Sequence, residues 1–264
     1  MFHVLRLINY ERKPVNYDKK VEILRRSSLV ALLAIKYFKK NSDKFIGKSE
    51  KYAAKAVKRF CRKRGYSQAF PLLLSSGENT QKIHARPSKR IIRNNDIIMI
   101  DIGLKRTAHY LSDYCSDCTR TFFLGQPSEF QQQVYSIVKE AQTLALENLK
   151  PKIRGCSLHK KVRDFLESKG YDLPHGLGHS TRRYTHASPF LSKMECNSYL
   201  KRGDHVTIEP GVYINKDHPK LPKGHPSFGV RIEDLVLITN IGYLALTRPK
   251  NSKMSKIEKK KESY

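Results

Sequence analysis

The chain has 264 residues, of which 39% are apolar, and its formal net charge is +27. This length and composition are typical of a globular protein with a large buried core. No apolar run reaches the ~20 residues that a membrane-spanning helix needs, so no membrane partner is expected. The five cysteines have no paired spacing, which predicts free thiols in a reducing compartment and hence a cytoplasmic protein.

The positive charge raises the alternative of a nucleic-acid partner. The basic residues are spread along most of the chain, however, and an aromatic-rich RNA-binding motif is missing. Their densest cluster is the lysine-rich tail over 248–264, which we expect to be disordered. Nucleic-acid binding is therefore disfavoured, and the sequence leaves the oligomeric state open.

The first half of the chain predicts helices followed by strands. After a lead segment over 1–18, a helical pattern begins at Asp18, and a second helix fits 49–65, where Gly65 ends it. The stretch AFPLLLSSGEN predicts a strand that runs into a turn, and the apolar stretch DIIMIDIG predicts a buried strand. Asp101 interrupts the apolar run of that strand, which makes it the first candidate for a functional residue.

The second half begins with two more predicted helices, over about 129–149 and 157–169. An irregular loop with three histidines follows at 173–189. Further strands are expected around HVTIEPGVYI, FGVRIEDLVLIT and GYLALT. Helices and hairpins mix without regular strand–helix alternation, which favours an α+β fold over a doubly wound sheet.

Four acids fall on the predicted strands, and the histidine-rich loop lies between them in the sequence. Each acid alone is typical of a hydrogen-bonded structural carboxylate or of an ordinary ion pair. Together they are costly to bury unless cations compensate them, and two divalent cations would neutralise four carboxylates. Oxygen ligands with one imidazole suit Mn²⁺, Co²⁺ or Fe²⁺, with Zn²⁺ as an alternative. The four acids are Asp101, Asp117, Glu209 and Glu233.

A competing metal site lies in the stretch DYCSDCTRTF, where Cys115 and Cys118 could bind zinc. The alternation of side chains along a strand puts Asp117 and Thr119 on one face and Cys118 on the other. The residues alone leave open whether the thiols or the carboxylates hold a metal.

From about residue 19 to residue 247 the chain resembles the catalytic domain of the pita-bread metallopeptidases, which include Xaa-Pro aminopeptidases, prolidases and methionine aminopeptidases. The resemblance implies a single pita-bread domain, with a curved antiparallel sheet covered by helices. The last two matching stretches are more similar to the Xaa-Pro branch than to the methionine branch. In chain order, the matching stretches are SSGENTQKIHARPS, DIIMIDIG, SDCTRTF, HGLGH with THASP, TIEPGVY and GVRIEDLVLIT.

The resemblance also implies a role for each matching residue. The thiols become bystanders, and two divalent metal ions, Mn²⁺ in the first place, are expected on the carboxylates and one imidazole. The expected metal ligands are Asp101, Asp117, His179, Glu209 and Glu233. Glu209 is also the expected general base, and the residues expected to contact substrate are His84, His186 and His175. Arg231 and Thr119 are expected to support the site from behind the ligands.

The activity implied is removal of the N-terminal residue from peptides with a free N-terminus, most similar to that of an Xaa-Pro aminopeptidase. Methionine aminopeptidase and prolidase are the alternatives within the family. A catalytically silent domain that binds protein or nucleic acid is the alternative from a different class.

Three departures from the family pattern stand out. Asp101 and Asp117 lie further apart than the pattern has them, which makes Asp113 a rival ligand. The stretches HSTRRY and HASP replace a glycine-rich loop and a glutamate, and they put two arginines near the expected cleft. Because about 18 residues precede the first matching helix, the N-terminal domain of full-length Xaa-Pro aminopeptidases is not expected.

Overall fold

The computed structural model describes residues 17–107, 114–182 and 185–248. The helices are α1 (Tyr17–Lys40), α2 (Ser42–Phe45), α3 (Glu50–Arg62), α4 (Glu129–Asn148) and α5 (Gly155–Ser168). A 3-10 turn spans Gly77–Gln81. The strands of the first half are β1 (Tyr66–Gln68), β2 (Leu73–Ser76), β3 (Ile97–Asp101), β4 (Leu104–Arg106) and β5 (Thr119–Phe123).

The strands of the second half are β6 (Gly178–Ser180), β7 (Ala187–Leu191), β8 (His205–Ile208), β9 (Gly211–Ile214), β10 (Phe228–Arg231), β11 (Asp234–Ile238) and β12 (Tyr243–Ala245). Among the described residues every strand pairing is antiparallel. The strand orders are β2-β3-β5, β12-β11-β8, β10-β9, β6-β7 and β1-β4. Helices packed on antiparallel sheets confirm the predicted α+β class.

The first half packs helices α1 and α3 against the β2-β3-β5 sheet. The apolar faces of the helices and the inner residues of the three strands form one buried cluster. Phe38 of α1 is fully buried in this cluster and stacks on Phe45, with 4.8 Å between the ring centroids. Aromatic pairs of this geometry add to the stability that burial alone provides.

The second half packs α4 and α5 against β8, β9 and β10 in a second buried cluster. Helix α4 begins with a capping box, in which the Ser128 side chain accepts from the Gln131 backbone and the Gln131 side chain accepts from the Ser128 backbone. This reciprocal pair satisfies two amides that the first turn leaves without a helical partner. The helix therefore begins where its sequence predicts.

Several predicted elements needed correction. Helix α1 begins at Tyr17, inside the predicted lead segment, and the histidine-rich loop over 173–189 contains the short strands β6 and β7. The stretch HVTIEPGVYI forms two strands, because Pro210 has no amide to donate to a ladder and separates β8 from β9. Residues 1–16 and 249–264 lie outside the described residues, so the predictions for the lead segment and the tail stay predictions.

The prediction that all five cysteines are free is wrong for one pair. A disulfide joins Cys156 at the start of α5 to Cys196 in the segment before β8. Cys61, Cys115 and Cys118 are free and buried. Because two of the five cysteines form a disulfide, the cysteines do not indicate a reducing compartment. The cytoplasmic location stays a prediction.

No helix among the described residues combines the length and the apolar character that crossing a membrane requires.

A buried glutamate fixes the segment that follows the 3-10 turn. Glu50, at the first position of α3, has no exposed surface. Its carboxylate accepts from the backbone amide and the hydroxyl of Ser76, at 2.8 Å each, and from those of Ser88, at 2.9 and 2.7 Å. Asn79 donates to the same carboxylate. Glu50 thus ties α3 to both ends of the loop that carries His84.

This network predicts that Glu50→Ala destabilises the fold, because buried amides and hydroxyls lose their acceptor. We expect a loss of about 2–3 kcal/mol in the free energy of unfolding. Urea unfolding, followed by circular dichroism, measures it. Glu147→Ala, which removes an exposed acid on α4, is the matched control. Equal stability of the two variants would contradict the role assigned to Glu50.

Candidate metal centre

The predicted metal ligands lie on strands or directly beside them, and they meet at the floor of one cleft. Asp101 is the last residue of β3, and Asp117 lies two residues before β5. His179 is the middle residue of β6, Glu209 follows β8, and Glu233 lies between β10 and β11. All five line the same cleft, which has a volume of about 920 Å³. Residues far apart in the sequence are therefore brought together in one cleft.

The ligand atoms of three residues form a compact group. One atom each from Asp117, His179 and Glu233 lie within 4.8 Å of one another, and all three residues are buried. His179 Nε2 lies 3.3 Å from Glu209 Oε1 and 3.9 Å from Asp117 Oδ2. His179 Nδ1 donates to the Ser180 carbonyl at 3.1 Å, which leaves Nε2 facing the acids. This is the orientation that a metal-binding imidazole needs.

Glycine at position 178 allows β6 to approach β8 closely enough to place His179. A Cβ on Gly178 would lie 1.9 Å from the carbonyl oxygen of Thr207. The Thr207 hydroxyl accepts from the His179 amide at 3.0 Å, and the strand pairing shifts register directly after His179. Such a bulge redirects a side chain. The second glycine of the HGLGH motif is thus required by the fold as well as by the site.

Arg231 and Thr119 contact two of the acids. Arg231 Nη2 donates to Asp101 Oδ2 at 2.7 Å, and both groups are buried. The Thr119 hydroxyl donates to Glu233 Oε2 at 2.7 Å and accepts from Arg231 Nε at 3.2 Å. Arg231 therefore pairs with Asp101 directly and reaches Glu233 through Thr119.

The acid next to Glu233 has a different partner. Asp234 is buried and faces away from the cleft, where it accepts from Arg120 at 2.7 Å, from Arg248 at 2.6 Å and from Thr247 at 2.8 Å. Its pKa is held below the ordinary value because these partners outweigh the effect of burial. The two neighbouring acids face opposite sides and have different roles: Asp234 joins β11 to β5, and Glu233 stays available in the cleft.

The three predicted substrate histidines all line the cleft. His84 and His186 are exposed at its surface, and the ring centroid of His186 lies 4.4 Å from that of His179. His175 is half-buried, and its Nδ1 donates to the Gly176 carbonyl at 2.8 Å. Its Nε2 lies 2.9 Å from the hydroxyl of Tyr213.

Tyr213 is a site residue that the sequence analysis missed. Its hydroxyl accepts from Arg231 Nη1 at 2.8 Å and is positioned to donate to His175 Nε2. Burial raises the pKa of Tyr213 to about 12, so the hydroxyl keeps its proton. A chain of contacts thus runs from Asp101 through Arg231 and Tyr213 to His175. The only sequence signal was the position of this tyrosine in the TIEPGVY motif.

The thiols are not part of this centre. The Cys115 sulfur contacts the Arg182 carbonyl at 3.3 Å, and the Cys118 sulfur contacts the Glu233 carbonyl at 3.8 Å. Burial raises the pKa of Cys115 to about 11 and raises that of Cys118 as well, which disfavours the thiolate that zinc requires. Within the described residues, the group that could hold a metal contains no cysteine. Asp113, the rival ligand, lies outside the described residues.

The prediction that the HSTRRY stretch brings arginines near the cleft is wrong for Arg182. Arg182 lines a separate depression, together with Tyr199 and Lys201, rather than the cleft. Its carbonyl accepts the Cys115 contact, which keeps this part of the loop against the segment that precedes Asp117. Arg183, the second arginine, lies outside the described residues.

The charge state of the cleft shows why a cation fits. Burial raises the pKa of Asp101, Asp117 and Glu233, and the neighbouring carboxylates raise it further. Burial alone would also raise the pKa of Glu209, but the hydrogen bond and charge of His179 lower it to about 2. The converse interaction raises the pKa of His179 against its burial. Without a cation, the carboxyl groups of Asp101, Asp117 and Glu233 therefore keep their protons to higher pH than exposed carboxyl groups do.

Two buried oxygens test whether the residues suit a metal. Asp101 Oδ1 and Asp117 Oδ1 are buried and have no hydrogen-bond partner among the described residues. Unpartnered carboxylate oxygens are costly in a protein interior unless a cation takes the place of the missing donor. The donor set of four carboxylates and one imidazole suits divalent cations that prefer oxygen. The residues therefore fit the metal ions that the resemblance implies.

The raised pKa values predict that metal binding releases protons and depends on pH. The folded chain without metal binds more protons than the unfolded chain above the ordinary carboxyl pKa, so its stability falls as pH rises through the raised values. A bound cation replaces these protons. The Tm difference between Mn²⁺-loaded and chelator-treated protein should therefore increase from about pH 5.5 to about pH 8.

Differential scanning fluorimetry measures this difference, and calorimetric titration with Mn²⁺ in buffers of different ionisation enthalpy counts the protons. A Tm difference that is independent of pH, with no proton release, would contradict the charge state described for the cleft.

Comparison with known proteins places these features in a family. The profile of metallopeptidase family M24 matches residues 22–240. The Xaa-Pro dipeptidase of Pyrococcus furiosus is 34% identical over 247 residues, which cover 92% of this chain and 64% of that protein. The uncharacterized peptidase YqhT of Bacillus subtilis is 33% identical over 76% of this chain and 53% of its own length. This chain is thus shorter than both relatives.

Solved structures agree with the sequence matches. The prolidase from Pyrococcus furiosus superposes with a TM-score of 0.75 at 32% identity, over 87% of this chain and 64% of that one. The X-Pro aminopeptidase from Thermotoga maritima gives 0.78 at 29% identity, over 89% and 62%. These matches confirm the predicted pita-bread fold. The chain belongs to metallopeptidase family M24.

Proposed function

We propose that the chain is a metal-dependent exopeptidase that removes the N-terminal residue from peptides whose second residue is proline. The observation that carries the proposal is the convergence of four acids and His179 on one cleft floor, with two buried carboxylate oxygens lacking a donor. Among the described residues, Arg231 pairs with Asp101 and His179 contacts Glu209 and Asp117, so the negative charge of the four acids is only partly compensated.

The choice of an Xaa-Pro substrate rests on the relatives. Relatives with an assigned activity include an Xaa-Pro dipeptidase, a prolidase and an X-Pro aminopeptidase. They support the Xaa-Pro branch over methionine aminopeptidase, and they leave an aminopeptidase and a dipeptidase as the two forms of the proposal. The aminopeptidase was the form expected from the sequence, with prolidase as its alternative.

The cleft residues divide into metal ligands and groups for the substrate. Asp101, Asp117, His179, Glu209 and Glu233 would hold two divalent metal ions, Mn²⁺ in the first place. When bound, such ions supply Lewis acidity and a water of lowered pKa. Asp117, Glu233 and His179 lie together in the compact group, so these three residues would contribute ligand atoms to the same part of the site.

The chain's own groups would position the substrate and move the proton. Glu209 is less buried than the other acids and lies at the cleft surface, so its carboxylate can accept a proton from the attacking water. His84 and His186, exposed on the cleft wall, can donate hydrogen bonds to the substrate carbonyl as negative charge develops on it. Burial lowers the pKa of His175, which keeps it neutral beside the hydroxyl of Tyr213.

Replacing the proposed base gives the most specific test of the catalytic assignment. Glu209→Gln keeps the size of the side chain and removes its basicity, so the cleavage rate of Ala-Pro-Ala by the Mn²⁺-loaded protein should fall ~10²–10⁴-fold. Release of free alanine measures the rate, and circular dichroism verifies folding. Glu140→Gln, on the exposed face of α4, is the matched control.

Two results would count against the proposal. If Glu209→Gln retains wild-type activity, Glu209 is not the base. If the wild type cleaves neither Xaa-Pro nor Met-initiated peptides with Mn²⁺, Co²⁺, Fe²⁺ or Zn²⁺, the hydrolase itself is rejected and the silent binding domain becomes the better hypothesis.

The metal ligands can be tested independently of turnover. Asp117→Asn removes a charge from the compact group, so the variant should bind less metal per chain than the wild type, measured by elemental analysis after gel filtration. Asp113→Asn and the double change of Cys115 and Cys118 to serine should leave the metal content unchanged. Loss of metal from either of these controls, with retention in Asp117→Asn, would show that the ligands are assigned wrongly.

A further inference from the structure

The solvent-facing side of helix α3 carries a continuous row of cations. The opposite side of the helix packs against the β2-β3-β5 sheet through Ala53, Ala54 and Val57. Residues three and four positions apart on a helix have Cβ atoms about 5–6 Å apart. Five cations of α3 have this spacing, and together they are called the α3 basic face: Lys51, Lys55, Lys58, Arg59 and Arg62. All five are exposed except Lys58, which is half-buried.

A neighbouring segment extends this positive surface. The Lys51 amide donates to the Ser88 carbonyl at 3.1 Å, and the Ile92 amide donates to the Lys48 carbonyl at 2.9 Å. These bonds hold the segment over 88–92 against the start of α3. Lys48 and Lys89 are both exposed there. The positive surface therefore continues from α3 onto this segment.

Acidic residues that could neutralise this surface are few. Between residues 36 and 65 the chain has twelve lysines and arginines but two acids. One of them is Glu50, whose carboxylate is buried among the serines described above. The other is Asp43, which is exposed on α2. Among the described residues, no ion pair involves the α3 basic face.

Helices α1 and α5 differ from α3, because they pair exposed cations with acids one turn away. The pairs are Arg26–Glu22 on α1, and Lys160–Asp164 and Arg163–Glu167 on α5. On α3 the same spacing brings like charges together, as at Lys51 and Lys55. Like charges four residues apart destabilise a helix, and a cation in its first turn opposes the helix dipole. These two lysines therefore do not serve the stability of α3, whereas an anionic partner would offset their repulsion.

We propose that the α3 basic face, extended by Lys89, binds single-stranded nucleic acid. This inference goes beyond the proposed function and does not depend on it. Along the sequence the cations are spread over most of the chain, but the fold collects several of them on one side of α3. Such a row attracts a phosphate backbone. From Lys51 to Arg62 it is about 16 Å long, which spans several phosphates of one strand.

An exposed tyrosine at the edge of this surface favours nucleic acid over other anionic partners. Tyr52 is 53% exposed and lies three residues before Lys55 and seven before Arg59. Aromatic side chains next to cations stack on unpaired bases, and every base has a face on which to stack. Bases in a duplex are already stacked on their neighbours. The tyrosine therefore favours a single strand.

A membrane surface fits the same charge less well. Helices that bind at a bilayer surface bury large apolar side chains along one face. On α3, Tyr52 is the one large hydrophobic residue that is exposed, and the exposed leucines Leu29 and Leu33 lie on α1. The α3 basic face thus has the charge but not the apolar residues for insertion into a bilayer.

The surface is separate from the catalytic cleft. Among the described residues that line the cleft, none belongs to the α3 basic face, and Lys89 is not one of them either. Substitutions on this surface should therefore leave the cleavage of Ala-Pro-Ala unchanged.

Fluorescence anisotropy with labelled oligo(U) and oligo(dT) of about 20 nucleotides tests the charge, because such strands are longer than one binding site. The Mn²⁺-loaded wild type should bind both with a Kd of about 10⁻⁶–10⁻⁴ M at physiological salt. Five phosphate contacts predict a slope of about −3.5 for the logarithm of the association constant against that of the salt concentration. The triple variant Lys51→Ala, Lys55→Ala, Arg62→Ala should bind at least about tenfold more weakly, with a slope of about −1.5.

A matched triple variant removes the same charge elsewhere. Lys150→Ala, Lys216→Ala and Lys223→Ala change exposed lysines in the second half of the chain. This control should keep the affinity and the salt slope of the wild type. Both triple variants should keep the wild-type cleavage rate, and neither should have a lower Tm.

The tyrosine is tested separately from the charge. Tyr52→Ala should weaken binding of single strands about five- to 100-fold and leave the salt slope unchanged, because stacking releases no counterions. Tyr52→Phe keeps the ring and should keep the affinity. A duplex of the same length should bind more weakly than the single strand, and Tyr52→Ala should not affect its binding.

The outcomes distinguish nucleic acid from other partners. Equal or tighter binding to poly-glutamate, or to vesicles of phosphatidylserine and phosphatidylcholine, would reject nucleic acid as the partner. Unchanged affinity of the α3 triple variant would place any binding elsewhere on the chain and reject this surface. Neither result affects the proposed peptidase, and a wild type that binds oligonucleotides but cleaves no peptide would reject the peptidase alone.

Discussion

The arrangement of the site depends on one constraint, the burial of four acidic side chains together at the floor of the cleft. Four carboxylates share the floor of the cleft, and burial with mutual repulsion raises the pKa of three of them. Such a group is stable only if protons or cations neutralise it. Arg231 compensates one acid, Asp101, and Thr119 donates to another, Glu233. Divalent cations would neutralise the remaining negative charge of the four carboxylates. The fold places these carboxylates together, and the proposed chemistry depends on the cations that they would bind.

Neighbouring residues of the antiparallel strands place their side chains on opposite faces, and the acids on the two faces have different roles. At the turn between β10 and β11, Glu233 faces the cleft, whereas Asp234 faces the other way and binds Arg120 and Arg248. The structural acid ties β11 to β5, and β5 supplies the threonine that contacts Glu233. The loop with His84 depends in the same way on Glu50, which accepts from Ser88. Two buried acids with several donors, Asp234 and Glu50, thus position segments that carry residues of the cleft.

The sequence could predict the ligands because each has a local signal. Asp101 interrupts an apolar strand, and Asp117, Glu209 and Glu233 stand in motifs whose order matches a known family. The supporting groups could not be predicted in this way, since contacts between distant segments define them. In the sequence, Glu50 is only an acid near the start of a predicted helix, Tyr213 is only an aromatic residue of a predicted strand, and Cys156 and Cys196 have no paired spacing. Strands β6 and β7 are short and lack the alternating apolar pattern of a strand, so only their pairing reveals them.

The central claim is that the acids of the cleft floor hold two metal ions, and anomalous X-ray diffraction from crystals grown with Mn²⁺ tests it most directly. The predicted result is two manganese peaks in the cleft, within bonding distance of the acids of its floor and of His179. A cleft without manganese at saturating concentration, or a single ion bound to Cys115 and Cys118, would contradict it.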